Sequence, residues 1–174
     1  MDTIVSNSPS ESTPSTPYVK HLLVRNRSIE SRLYQKNIAD SASHRNTMVI
    51  LPTALGKTVV SLLVTADMLY NYRDRRVLVM APTRPLISQH IKFFSSSLKI
   101  FEEQIFAVTG KTPPDARSSV WNKKDMRLLF ATPEVVKNDL EEGRVHLGDF
   151  SLLVFDEAHR AVKDYAYTLI AKKY

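Results

Sequence analysis

Gly56-Lys57-Thr58 and Asp156-Glu157-Ala158-His159 are the two segments of this chain whose residue types could do chemistry together. The first puts an ammonium and a hydroxyl directly after a glycine. At a helix start the leading N–H groups lack intrahelical partners and the helix dipole is positive, so a polyphosphate is favoured there. Gly56 would let the backbone approach closely, Lys57 could reach the β- and γ-phosphates, and the Thr58 hydroxyl could take a Mg²⁺ position. The second segment supplies two adjacent carboxylates, one to hold the metal and one to polarise an attacking water. Read as a pair, they are the two halves of an ATP·Mg²⁺ site. Read singly, a Gly-Lys-Thr triplet is an ordinary helix start, and an Asp-Glu pair suits the positive end of a helix.

Such a site needs elements to position it. Thr47-Met48-Val49-Ile50-Leu51 is an apolar run of strand length, and a helical pattern begins at Val59, so Leu51-Pro52-Thr53-Ala54-Leu55-Gly56-Lys57-Thr58 reads as the turn from strand to helix. The general phosphate-loop pattern wants a glycine where this chain has Leu51. Leu152-Leu153-Val154-Phe155 is a second apolar strand, and Asp156 leaves its carboxyl end, the rim where open α/β sheets bind ligands. Further strands are expected at Val77–Met80, Ile105–Val108 and Leu128–Ala131, with a helix from about Pro85 and another opened by Pro133, capped by Thr132 and closed near Gly143. Apolar strands separated by helices predict a parallel sheet covered on both faces. Every loop that follows such a strand then falls on one rim. Pro82-Thr83-Arg84, Thr109-Gly110 and Thr132-Pro133 share that rim with the phosphate loop. Hydroxyls, an arginine and helix-start N–H groups suit a sugar–phosphate backbone, although each could equally cap or turn.

With these residues in order, the chain resembles the DEAD/DEAH-box superfamily of helicases, and within it the archaeal Hef and Fanconi-anaemia-M branch. Arg32-Leu33-Tyr34-Gln35 is similar to that branch's adenine-recognition segment, with Arg32 and Gln35 in the matching places. Ala81-Pro82-Thr83-Arg84-Pro85-Leu86 is similar to motif Ia, Thr109-Gly110 to motif Ib, and Ala131-Thr132-Pro133-Glu134 to the next strand-binding motif. The resemblance implies a RecA-like phosphate-loop domain that uses ATP and Mg²⁺. It also implies DNA as partner in preference to RNA, and a second RecA-like domain outside this chain. Lys57, Asp156, Glu157 and His159 take the catalytic places, His159 linking nucleotide state to the strand-binding side. Thr53 to Thr58 form the nucleotide loop, with Thr58 and Asp156 on the metal. Ala54 stands where the family usually has glycine, which bears on nucleotide affinity. Family members carry a motif III strand between the two ATP-site strands. A chain ending at Tyr174 would lack it, which implies a fragment of marginal stability alone and, as the alternative function, a binding module without turnover.

Composition is compatible with this. The 174 residues fit one domain, and 43% hydrophobic content suffices for a core. A net charge of +6 suits a nucleic-acid partner and equally a solvated basic face. Cysteine is absent, which excludes disulfides and thiolate metal sites. The chain has neither a membrane-length apolar run nor a secretory leader, so a soluble cytoplasmic location is expected. Residues 1–17, rich in Ser, Thr and Pro, predict a disordered tail ahead of a domain over 18–174. Trp121, Tyr70 and Tyr72 are expected to pack rather than stack on bases, and Lys123, Lys124 and Arg127 to form a solvated basic loop.

Overall fold

The computed structural model describes residues 17–52, 55–163 and 165–174. Apart from Pro17, the expected tail therefore lies outside the described residues, as do Thr53 and Ala54. Helix α1 (Leu33–Ser43) precedes α2 (Lys57–Asn71), after which strands and helices alternate. They are β1 (Arg76–Met80), α3 (Arg84–Ser97), β2 (Ile105–Val108), α4 (Pro114–Asn122), β3 (Leu128–Ala131), α5 (Pro133–Glu141), β4 (Phe150–Phe155) and α6 (Ala166–Lys173).

The four strands form one sheet in the order β2-β3-β1-β4, and every pairing is parallel. All carboxyl ends therefore share one rim. β1 is central and wholly buried, as its sequence Arg-Val-Leu-Val-Met requires once both faces are covered. Val77 and Val79 on one face join α1, α2 and α3 in one apolar cluster, where Phe94 meets Phe130 edge to face at 5.5 Å. Leu78 and Met80 on the other face join α4, α5 and α6 in a second, around Trp121, Phe150 and Tyr167. The two cores explain why Trp121 is buried, as expected from its size. No described helix is long and apolar enough to cross a membrane.

The sequence signals for helix ends hold in two places. Thr83 caps α3, accepting from the Leu86 N–H at 3.5 Å, with Pro85 in the first turn. Gly143, at φ +70°, ends α5 in the left-handed conformation that glycine adopts at least cost.

Two expectations are corrected. Thr47–Leu51 belongs to no strand. Val49 and Leu51 lean on the first core, whereas Met48 and Ile50 are 74% and 83% exposed. The alternation is that of a strand, but a strand also needs a ladder partner, and among the described residues β4 is paired only on its β1 side. Arg127, expected to be solvated, instead turns inward. Its Nη2 donates to Leu69 O at 2.8 Å and Tyr72 O at 3.3 Å, and its Nε to Arg75 O at 3.3 Å. A cation thus satisfies carbonyls at and beyond the end of α2, a role that residues so distant in sequence do not reveal.

Candidate nucleotide and nucleic-acid site

The phosphate-loop half is built on the start of α2. Gly56 is its N-terminal cap in the left-handed region, φ +77° and ψ +41°. This conformation is what favours glycine, and a Cβ here would also press on the Gln35 amide. Gln35 is buried and donates from Nε2 to Leu55 O at 3.1 Å, while the Tyr34 hydroxyl donates to the same carbonyl at 2.9 Å. Arg32 donates to that hydroxyl at 3.5 Å. The 32–35 segment is thereby latched to the loop, with Tyr34 as a member that the sequence reading left out. Lys57 is exposed and donates from Nζ to Leu51 O at 3.2 Å, and Thr58 is half-buried one residue further on.

The carboxylate half sits where β4 ends. The Asp156 N–H donates to Met80 O at 2.9 Å, which carries the β1–β4 ladder one step beyond the strands. From below, the buried Tyr167 hydroxyl shares its proton between Met80 O at 3.0 Å and Asp156 O at 2.8 Å. Asp156 Oδ2 lies 2.8 Å from His90 Nε2 on α3. Burial pushes the Asp156 carboxyl up, but the His90 contact, the Glu157 backbone N–H and the Lys57 charge outweigh it and hold the group below its ordinary range. Of these influences the Lys57 charge is the smallest and the His90 hydrogen bond the largest that lowers it. Glu157 follows at φ +55°, a left-handed backbone seldom taken by non-glycine residues and often found at working sites. Its Oε2 is 3.4 Å from Nδ1 of His159, whose side chain is 70% exposed.

Tyr167 was not singled out by sequence, yet it ties together the tips of β1 and β4. Tyr167→Phe keeps the ring packing and removes only the hydroxyl. It is expected to lower stability by about 1–2 kcal/mol, read as a shift in the urea unfolding midpoint.

The remaining rim residues follow the strand order. Thr109-Gly110 stands after β2, Thr132-Pro133 after β3, Pro82-Thr83-Arg84 after β1 and Asp156-Glu157 after β4. Thr83, Arg84 and Gly110 are exposed. Arg84, Pro85 and Ser88 of α3 face Thr109 across a cleft of ≈ 640 Å³. Thr132 does not cap α5 through its side chain as expected. Its backbone carbonyl instead accepts the Val135 and Val136 N–H groups at 3.1 and 3.2 Å. Pro133 is buried, which leaves its neighbours as the accessible part of that loop. Tyr70 and Tyr72, expected to be packed, are 39% and 47% exposed at the opposite end of α2, away from this rim.

Among the described residues no three acidic, histidine or cysteine side chains gather as a metal cluster. Mg²⁺ delivered with a nucleotide does not need one, since phosphates, water and one or two protein oxygens complete its octahedron. Of the Asp156 carboxylate oxygens Oδ2 takes the His90 hydrogen bond, and Oδ1 has no side-chain partner among the described residues. That hard oxygen and the Thr58 hydroxyl make a donor set suited to Mg²⁺.

Comparison with known proteins agrees with this geometry. The family model described as DEAD/DEAH box helicase matches residues 32–172. A Methanocaldococcus jannaschii protein provisionally named an ATP-dependent RNA helicase is 40% identical over 157 residues, 90% of this chain and 20% of that protein. The DEAD-box ATP-dependent DNA helicase Fancm of Drosophila melanogaster is 40% identical over 144 residues, 80% of this chain and 10% of its own length. The chain thus spans a fifth or less of these relatives. Among solved structures, the Pyrococcus furiosus Hef helicase domain superposes with a TM-score of 0.82 at 40% identity, over 88% of this chain and 31% of that one. The fold is accordingly α/β and RecA-like, and with its motifs in family order this chain belongs to the DEAD/DEAH box helicases.

Proposed function

We propose that this chain is the ATP-binding, first RecA-like domain of a helicase or translocase that couples ATP hydrolysis to movement on DNA. The observation that carries the reading is geometric: Asp156 and Glu157 leave the carboxyl end of β4, and the helix that Gly56, Lys57 and Thr58 begin packs on the same face of that sheet. Lys57 and the free N–H groups of α2 hold phosphates, with the Thr53–Thr58 loop around them. Thr58 and Asp156 hold Mg²⁺, Glu157 orients the attacking water, and His159 relays nucleotide state toward the strand. When bound, Mg²⁺ would neutralise charge on the β- and γ-phosphates. Arg32 and Gln35 serve the adenine, and Gln35 reports the loop's position through Leu55 O. Pro82, Thr83, Arg84, Thr109, Gly110, Thr132 and Pro133 line the path of a sugar–phosphate backbone, read without base information.

DNA is preferred to RNA on the name of the Drosophila relative Fancm, a choice opposed by the Methanocaldococcus name. A second RecA-like domain is the partner expected to complete turnover. Under this reading the protein works inside the cell, where ATP and DNA are both present.

Isothermal calorimetry with Mg²⁺·ATP tests the proposal. Lys57→Ala is expected to weaken binding about 10- to 100-fold, the worth of a hydrogen bond between charged groups. Equal affinity in both proteins would reject the site. Binding without polynucleotide-stimulated hydrolysis would mark the chain as a nucleotide-binding module that needs its partner domain.

A further inference from the structure

His90 is a buried, titratable side chain that the proposed chemistry has not used. It lies on α3 between Ile87 and Phe94, the apolar positions that face the first core. Its residue is only 7% exposed, and its ring meets Phe94 nearly edge to face at 6.3 Å. Its hydrogen bond is to Asp156 Oδ2 at 2.8 Å, and its Nδ1 is buried without a partner among the described residues. The hydrogen-bond pattern assigns the ring proton to Nε2, which donates to the carboxylate and leaves the less costly acceptor nitrogen unpaired. A buried imidazole needs a partner for its N–H in any setting, and this one takes the carboxylate at the tip of β4 although its other nitrogen is left unsatisfied. The orientation makes sense if Asp156 is what must be held. The same aspartate is fixed from a second direction, because its backbone carbonyl accepts from Tyr167 and its N–H donates to Met80 O.

We infer that His90 is a positioning residue for the metal ligand: its Nε2–H occupies Asp156 Oδ2, fixes the carboxylate rotamer and reserves Oδ1 for Mg²⁺. This inference rests on the proposed ATP·Mg²⁺ reading. It also gives the order of parts a purpose. α3 begins at Arg84 with Thr83 as its cap, so the helix that starts at the candidate strand-binding loop also steers the carboxylate just beyond β4. Partners that orient metal ligands are typically worth about 10- to 100-fold in metal affinity.

The test uses the whole chain with a fluorescent ADP analogue, titrated with Mg²⁺ and also measured in EDTA. His90→Phe keeps ring volume and the Phe94 contact but removes the donor. His90→Gln restores an N–H donor at similar reach, and His90→Asn carries the same amide on a shorter stem. The expected result is a Mg²⁺ midpoint raised about 10- to 100-fold in His90→Phe, with nucleotide affinity in EDTA within about 2-fold of wild type and most of the midpoint recovered in His90→Gln. A purely structural histidine would alter the thermal transition and leave the Mg²⁺ midpoint alone. An unchanged midpoint in folded His90→Phe overturns the inference. If that variant lacks a cooperative melt, the Gln and Asn variants decide: a wild-type midpoint in Asn overturns the inference, and a raised midpoint in Asn with recovery in Gln supports it. Absence of Mg²⁺-dependent binding in the wild type would instead remove the ATP·Mg²⁺ reading, and the inference with it.

Discussion

Asp139→Asn is expected to lower the unfolding free energy by about 3–5 kcal/mol, a large share of the roughly 5–15 kcal/mol that holds an ordinary domain folded. Asp139 is completely buried on α5. Arg117 Nε from α4 donates to both its oxygens at 3.1 and 2.9 Å, Trp121 Nε1 donates at 2.7 Å, and Arg144 Nε at 2.7 Å. Its backbone carbonyl also accepts the Arg144 N–H at 2.7 Å. One carboxylate thus joins α4, α5 and the segment leading to β4. An amide of the same shape would remove the charge and turn an NH₂ group toward surrounding donors, leaving the buried Arg117 without its counter-ion. Chemical denaturation measures the loss, and a change below about 1 kcal/mol would mean that this network is not a main support of the second core. Replacing the whole network with apolar residues is expected to cost less than the single change, since breaking a buried pair is worse than never burying it.

The same residue gives the prediction a pH signature. Burial raises the Asp139 carboxyl, but hydrogen bonds from Arg117, Trp121 and Arg144 and the Arg117 charge overcome this and hold it below its ordinary value. A carboxyl with a lower pKa folded than unfolded adds stability at pH values above the unfolded pKa, near 4. That contribution is lost as pH falls through the folded value. Wild type is therefore expected to lose stability steeply below about pH 4, and Asp139→Asn to follow a flatter curve over the same range.

How much of this was legible in the sequence varies with the kind of interaction. Ile105–Val108 and Leu128–Ala131 match the strands residue for residue, because short apolar runs between helix starts permit little else. The Thr47–Leu51 run looked the same locally and is not a strand, since pairing is decided by a neighbour rather than by the run itself. Helix α4 was not anticipated, although Pro114 in its first turn and Asp115 behind it are ordinary start signals. Motif residues Gly56, Lys57, Asp156 and Glu157 were found because their spacing within each segment is local. The residues that hold them were missed because their partners are remote. His90 and Asp139 nevertheless left a trace. Each is a polar residue on an otherwise buried helical stripe, His90 with Ile87 and Phe94, Asp139 with Val135 and Val136. A charged or titratable group on such a stripe requires a partner, and asking for it would have flagged both positions.

Glu157→Gln is expected to lower ATP turnover about 10²- to 10⁴-fold while leaving Mg²⁺·ATP affinity within about 3-fold of wild type. The side chains are nearly isosteric, and both tolerate the φ of +55° at this position about equally, so the exchange isolates the carboxylate charge. In the proposed site, binding rests instead on Lys57, the α2 start and Asp156, none of which the substitution replaces. A neutral amide can still accept a hydrogen bond from water but cannot withdraw its proton, which separates turnover from affinity. Phosphate release measured beside calorimetric affinity in a full-length parent that carries the proposed second RecA-like domain, with polynucleotide present and the wild type as reference, makes the comparison. Turnover within about 3-fold of wild type would remove Glu157 from the chemistry. Parallel losses in turnover and affinity would make it a binding group, and the water would then need another base. The geometry favours the first outcome over either of these, because Glu157 adjoins Asp156 in a left-handed conformation that the surrounding contacts must sustain at a cost. Asp156 is fixed at its N–H, its carbonyl and its carboxylate, so the residue after it inherits a defined starting point on the rim.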